Sequence, residues 1–425
     1  MERNEKFYQD IVKILEEELV PAMGCTEPIA IAYGASRCRD LLGAVPEKIR
    51  IQASGSIIKN VKSVVVPNTG YMKGIEAAAA AGVVAGVTDR MLEVISEVSE
   101  EQRSGIARYL DEHEVKVEFL DQGNVFDILI TETCGEHTAK LRIVNHHTNI
   151  VMEEKDGTVL KEVPFEADEE TALTDRSFLT VERIWDFTET CDVADVKELL
   201  NRQIAFNMAI AEEGMKNSWG ANIGSIVLEM EDDKVNHKAV AMAAAGSDAR
   251  MNGCELPVII NSGSGNQGIT CSVPVIVYAR ALGAPEEKMY RALVLSNLIT
   301  IYQKTGIGRL SAFCGAVCAG VASGAGICYL KGGTLREVDH TLVNGLSIVS
   351  GIVCDGAKAS CAAKIAFSVN AGLMGYEMYH HGQQFRKGDG IVGPSVDETI
   401  SNVGRLGKEG MKETNKEILK IMVGE

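Results

Sequence analysis

Between Leu310 and Leu330 the chain reads LSAFCGAVCAGVASGAGICYL, 21 residues without a charge and mostly Gly, Ala, Ser or Cys. No other stretch restricts the fold as much. It is long enough to cross a bilayer. Small side chains give it a weak transfer energy, however, and no comparable second span exists. The composition instead predicts a helix buried on every side, small all round, so that neighbouring backbones or a bound group come close.

The rest of the chain supplies the neighbours. At 425 residues it is long for a single core. Phe7, Ile11, Ile14, Leu15 and Leu19 recur at helical spacing and Pro21 ends the run. GCTEP follows, with Thr26 expected as N-cap and Pro28 in the first turn of a helix to about Leu42. KIRIQAS then alternates like a strand and GIEAAAAAGVVAG reads as a helix. Two further amphipathic helices are expected over Asp89–Glu112. VKVEFLD, VFDILITET, HTAKLRIVN and TNIVMEE read as consecutive strands, with turns at Gly123 and Gly135 and a hairpin at Asp156-Gly157. From about Ser177 the texture is helical, broken by glycine loops: KNSWGAN, AAGSDARMNG, NSGSGNQG, KTGIG, KGGT and CDGAK. The expectation is an α+β protein. A mainly helical catalytic domain (177–425) is joined by N-terminal helices (1–44) that pack with it. A smaller α+β domain (45–176) carries a mostly antiparallel sheet.

A net charge of −17 argues against nucleic acid or an anionic membrane as partner. The start MERNEKFYQDIVKILEEEL is charged and helix-periodic, without a cleavable apolar region. With eleven cysteines, an odd number, this points to the cytoplasm and reduced thiols.

Those thiols are the strongest chemical signal. Cys314 and Cys318 lie four apart near the start of the small-residue helix. Cys354 precedes Asp355-Gly356, and Cys361 is expected two turns into the helix that follows, on a face shared with Cys354 if that helix starts early enough. Three thiolates from two helix starts can hold an iron–sulfur cluster with one iron left open as a Lewis acid. The bland alternative is inert buried cysteines. Zinc would want closer ligands, and His340 is the only histidine nearby in sequence. SGSGNQG contains G-x-G-x-x-G as Gly263, Gly265 and Gly268. A dinucleotide fingerprint would need an acid at a following strand end, which is missing, so the stretch is either a plain loop or an anion nest with Asn266 and Gln267. Cys25, just ahead of a helix, is either structural or a dipole-favoured thiolate acting as base, nucleophile or ligand. Asn68 and Thr69 sit in a turn that either ends an element or touches a ligand. A pyridoxal-phosphate eliminase would use a lysine such as Lys358 or Lys364, but no phosphate-binding loop stands beside them.

GCTEP, VVVPNTG, NHHTNI followed by EKDG, NSGSGNQGI, and FCGAVCAG followed by VCDGAKASCAAK occur in this order along essentially the whole chain. Together they resemble the L-cysteine desulfidase family, which is related to the alpha chain of iron–sulfur L-serine dehydratases. The resemblance implies an oxygen-sensitive [4Fe-4S] enzyme that converts L-cysteine and water to pyruvate, ammonia and hydrogen sulfide. It implies Cys314, Cys354 and Cys361 as cluster ligands, Cys25 as the cysteine linked to activity, and Cys318 as packing. Asn68, Thr69, Ser264, Asn266 and Gln267 would belong to the amino-acid site. The implied partner is a small amino acid, with neither nucleic acid nor membrane, and with a homodimer left open.

Overall fold

The computed structural model describes residues 1–120, 124–166, 173–230, 234–308 and 310–423. The predicted turn at Gly123 lies outside them. In chain order the helices are α1 (Lys6–Glu18), α2 (Thr26–Leu42), α3 (Gly55–Val61), α4 (Gly74–Ala85), α5 (Glu100–Glu112), α6 (Val181–Thr190), α7 (Lys197–Lys216) and α8 (Ile223–Met230). They continue as α9 (Val235–Met251), α10 (Gly265–Ala281), α11 (Glu286–Ile307), α12 (Gly315–Leu330), α13 (Leu335–Val349), α14 (Cys361–His380), α15 (Val396–Arg405) and α16 (Lys412–Val423). The strands are β1 (Pro21–Met23), β2 (Lys48–Ala53), β3 (Glu114–Phe119), β4 (Asp127–Cys134), β5 (His137–Val144), β6 (Ile150–Lys155), β7 (Thr158–Glu162) and β8 (Pro257–Ile259).

The α+β expectation holds. Six strands form a sheet in the order β3-β2-β4-β5-β6-β7, antiparallel except for the parallel β2–β3 pair. That pair needs a long crossover, and α3, α4 and α5 supply it. Apolar residues alternate onto one face: Ile49, Ile51, Ile128, Ile130, Leu141 and Ile143 are all buried. Helix α2 lies on this face at Gly34, where a Cβ would come within 2.8 Å of the Ile130 side chain. Asp156 and Gly157 both take positive φ, 48° and 78°, and close the predicted hairpin between β6 and β7. Of the two amphipathic helices expected over Asp89–Glu112, the second is α5 and the first is only a short 3₁₀ turn, Thr88–Glu93.

In the helical half α12 is the hub, packed against α10, α11, α13 and α14. Among the described residues no helix is long and apolar enough to cross a membrane. The small residues set the spacing instead. A Cβ on Gly320 would fall 2.4 Å from the Ser368 backbone, and one on Gly324 would fall 2.6 Å from the Gly372 carbonyl oxygen, so α12 and α14 touch backbone to backbone. The helix also starts later than its apolar run. Phe313 bridges Val353 as a one-residue antiparallel pair, which holds 310–314 out of the helix.

Three expectations are corrected. Thr26 is the first helical residue of α2 and Cys25 is its N-cap; the Thr26 hydroxyl donates instead to the Gly263 carbonyl at 2.8 Å. AAGSDARMNG is not a loop. It is the last part of α9 as far as Met251, and Gly246 serves helix contact, with Ala211 Cα 3.5 Å from where its Cβ would stand. Helix α14 begins at Cys361 itself, because Gly356, at φ +94°, turns the chain first. Cys354 and Cys361 therefore do not share a helix face.

Candidate active site

Three cysteines stand at helix starts. Cys25 is the N-cap of α2, Cys314 the N-cap of α12, and Cys361 the first residue of α14. Unpaired N–H groups and the helix dipole make such positions favourable for negative charge. Cys354 is brought beside Cys314 by the Phe313–Val353 bridge. Its N–H donates to the Ala312 carbonyl at 2.6 Å, and the Cys314 N–H donates to the Ile352 carbonyl at 3.1 Å.

The loop between Cys354 and Cys361 is pinned from three directions. Gly356 presses on α3, where a Cβ would lie 2.4 Å from the Lys59 carbonyl oxygen. Lys59 is buried, and its ammonium donates to the Cys354 carbonyl at 3.2 Å and to Asn415 Oδ1 at 2.6 Å. Lys358 and Lys364 both turn back onto Asp355, holding its carboxyl down at about 2 against the opposing effect of burial. These two lysines thus close the loop on itself.

The thiols sense one another. Burial pushes the Cys314 thiol up to about 12, and the charges that Cys354 and Cys361 would carry push it the same way. Burial also raises Cys361, with Cys354 adding to it. Cys25 goes up to about 12, again chiefly through burial, with Arg250 as the group that pulls it down and Cys361 among those that raise it. Its Sγ lies 3.9 Å from Met251 Sδ, and it packs with Val64, Met251 and Cys361. Eleven free cysteines are present and none is paired in a disulfide. Cys318 is fully buried within α12.

Among the described residues no group of three or more His, Cys, Asp or Glu side chains converges tightly enough for a single metal ion. The donor set that Cys314, Cys354 and Cys361 offer is all sulfur, the chemistry that iron–sulfur groups take.

The SGSGNQG stretch wraps the same centre. Strand β8 precedes it, but among the described residues β8 pairs only with β1, antiparallel, and α10 leads on to α11. This is not the parallel strand–helix–strand unit of a dinucleotide site. Ser264 is the N-cap of α10 and exchanges backbone hydrogen bonds with Asn261. Asn266 Oδ1 accepts from Arg250 Nη1 at 3.0 Å. The Gln267 amide lies on the first residue of α12, where a Cβ at Gly315 would meet its Oε1 at 2.7 Å. Asn68 and Thr69 stand further back. The Asn68 amide donates to the Ile95 carbonyl at 2.7 Å and the Thr69 hydroxyl to the Val66 carbonyl at 2.7 Å. Their loop buttresses Gly24, whose Cβ would collide with Pro67 at 2.2 Å.

A cavity of about 580 Å³ opens beside this centre, between the sheet and the helices. Ser262, Lys304, Ser311, Ala312 and Asn415 are among the residues that line it, whereas the four thiols, Arg250 and Gln267 are not. Sequence reasoning passed over Lys59, Arg250 and Lys304. Each lies in an ordinary helical segment, and only the tertiary packing brings it to the thiols or the cavity.

The sequence profile of the serine dehydratase alpha chain matches residues 89–420. The chain belongs to that family. The matched span holds Cys314, Cys354, Cys361, Arg250 and the whole SGSGNQG stretch, while Cys25, Asn68 and Thr69 precede it. Similar proteins cover those as well. A UPF0597 protein of Desulfitobacterium hafniense is 57% identical over 100% of this chain and 99% of its own length. One from Lachnoclostridium phytofermentans is 49% identical over 98% and 100%. One from Treponema denticola is 46% identical over 98% of each.

Proposed function

We propose that this protein is an iron–sulfur-dependent lyase that eliminates the β-substituent of a small L-amino acid. L-Cysteine is the foremost substrate, giving pyruvate, ammonia and hydrogen sulfide. The observation that carries the reading is the meeting of Cys314, Cys354 and Cys361 from two helix starts and a pinned loop, with Cys25 at a third helix start against Cys361. Cys314, Cys354 and Cys361 would hold a [4Fe-4S] cluster. When bound, that cluster supplies an open iron, a Lewis acid for the departing heteroatom.

The chain's own groups do the rest. Cys25 Sγ, in its thiolate form, would take the α-proton; burial opposes that form, and Arg250 together with the start of α2 supports it. The first-turn N–H groups of α10 offset negative charge developing on the substrate. Burial of Cys25 and Cys314 keeps bulk water away from those two thiols while charge develops. The aminoacrylate that leaves hydrolyses without help. Reduced cytoplasm is the setting that eleven free thiols suit.

The family description favours a second reading, L-serine as substrate with water as the leaving group. Anaerobic purification with iron and sulfide analysis, and pyruvate release from L-cysteine and L-serine measured in parallel, tests both. A Cys354→Ala protein that still held a full cluster and turned over would sink the assignment.

A further inference from the structure

Arg250 is a charged side chain with an unfilled role. It is only 3% exposed, yet among the described residues no carboxylate forms an ion pair with it. Nη1 reaches Asn266 Oδ1, a neutral acceptor, and among the described residues the buried Nε has no hydrogen-bond partner. A guanidinium buried in this way is costly unless an anion completes it. Its placement is built rather than incidental. Gly265 is bare where a Cβ would stand 2.3 Å from Nε, so the guanidinium lies flat on the first turn of α10. It also lies close enough to Cys25 to lower that thiol. Two residues on, Gln267 is 4% exposed, its Oε1 is buried without a partner, and its amide rests on Gly315 beside Cys314. One helical turn thus joins an unpaired cation to an unpaired acceptor across the ground between Cys25 and Cys314.

We propose that Arg250 is the carboxylate clamp of the amino-acid site, and that Gln267 Oε1 accepts from the α-ammonium group. The proposal rests on the lyase reading above and deepens it. An α-amino acid offers one anion and one donor group at short separation, matching the two unfilled groups in sign. Nε and Nη2 form the edge of the guanidinium opposite the bond to Asn266, and a carboxylate takes such an edge through two parallel hydrogen bonds. Lysine cannot reproduce that fork. With the carboxylate held here, the β-substituent is the part of the substrate left to face the thiols.

The experiment uses the anaerobically reconstituted protein and a ligand that cannot react. L-Alanine has no leaving group, and L-alaninamide lacks only the carboxylate. Calorimetric binding of the two to wild type, Arg250→Lys and Asn266→Asp reads the clamp without turnover. Wild type is expected to favour L-alanine by roughly 30-fold or more, in line with a charge-assisted bidentate pair. Arg250→Lys loses most of that preference. Asn266→Asp keeps the arginine but places a carboxylate 3.0 Å from Nη1, so it competes with the ligand and weakens L-alanine about tenfold. In turnover, Arg250→Lys raises KM for L-cysteine more than it lowers kcat. Iron content and thermal melting of each variant show that cluster and fold are intact. No carboxylate preference in wild type, or the full preference surviving in both variants, overturns the clamp. A preference that is present and lost on substitution, with no pyruvate from any amino acid, keeps the clamp and refutes the lyase reading instead.

Discussion

Cysteine side chains in this protein divide by what surrounds them. Cys318 is fully buried inside α12, whereas Cys314, four residues earlier, caps the same helix and senses Cys354 and Cys361. Serine at Cys314, Cys354 or Cys361 is therefore expected to abolish iron and sulfide retention, and serine at Cys318 to preserve it; metal analysis of the anaerobically purified variants separates the two. Cys25→Ser should hold its cluster and lose turnover by about 100-fold or more, the scale of a missing general base. Spacing alone left Cys314, Cys354 and Cys361 open between inert core thiols and ligands, and it was the family resemblance that singled them out. Arg250 was not legible. It sits in AAGSDARMNG, whose glycines suggest a loop, and its importance comes from lying over Gly265, fifteen residues away in the chain. No local pattern encodes that meeting.

Helix boundaries show the same division. The apolar period of α1 places that helix to within a residue or two, because burial of one face decides it, while α2 and α4, buried almost all round, are marked by their flanking turns and small-residue runs. The starts of α12 and α14 were misplaced because a tertiary bridge at Phe313–Val353 and the turn at Gly356 override local preference. Close approaches between elements give two measurable consequences. A Cβ on Gly268 would fall 2.0 Å from the Ile259 carbonyl oxygen, so Gly268→Ala must part α10 from β8 and lower stability by about 2 kcal/mol, read by chemical denaturation. Asp248 of α9 accepts the N–H of Gly224 at the start of α8, at 3.1 Å. Burial pushes its carboxyl from 3.8 up to about 6. Its contribution to stability is therefore complete below the unfolded value and is lost as pH rises through about 6. Asp248→Asn keeps the acceptor and cannot ionise. It should be the more stable protein at neutral pH, by about 2 kcal/mol, with the gap closing below about pH 4 in parallel melts.

At the scale of the whole molecule, the chain's two ends meet at the thiols. GCTEP comes from the beginning, and near the end Asn415 of α16 binds Lys59, which holds the Cys354 carbonyl. Lys59→Met should release that loop, so that alkylation of Cys354 in the cluster-free protein accelerates several-fold while the melting temperature moves little. A mass-spectrometric time course reads it residue by residue. The overall class, α+β with a mostly antiparallel sheet, was legible because strand alternation and the uncharged helix are patterns of composition. The assembly of one site from residues 25, 59, 250, 267 and 314–361 was not, since it depends on which faces meet. The contact of α12 with α14 at Gly320, Gly324 and Gly372 has a mechanical consequence. Cys314 and Cys361 are the leading ends of those two helices, so the gap between them is gauged by main chain against main chain, as in a caliper with its jaws locked. Side-chain rotamers cannot retune it. Adding one methyl group at Gly324, well down the shaft, should spread the jaws and change the separation of Cys314 from Cys361.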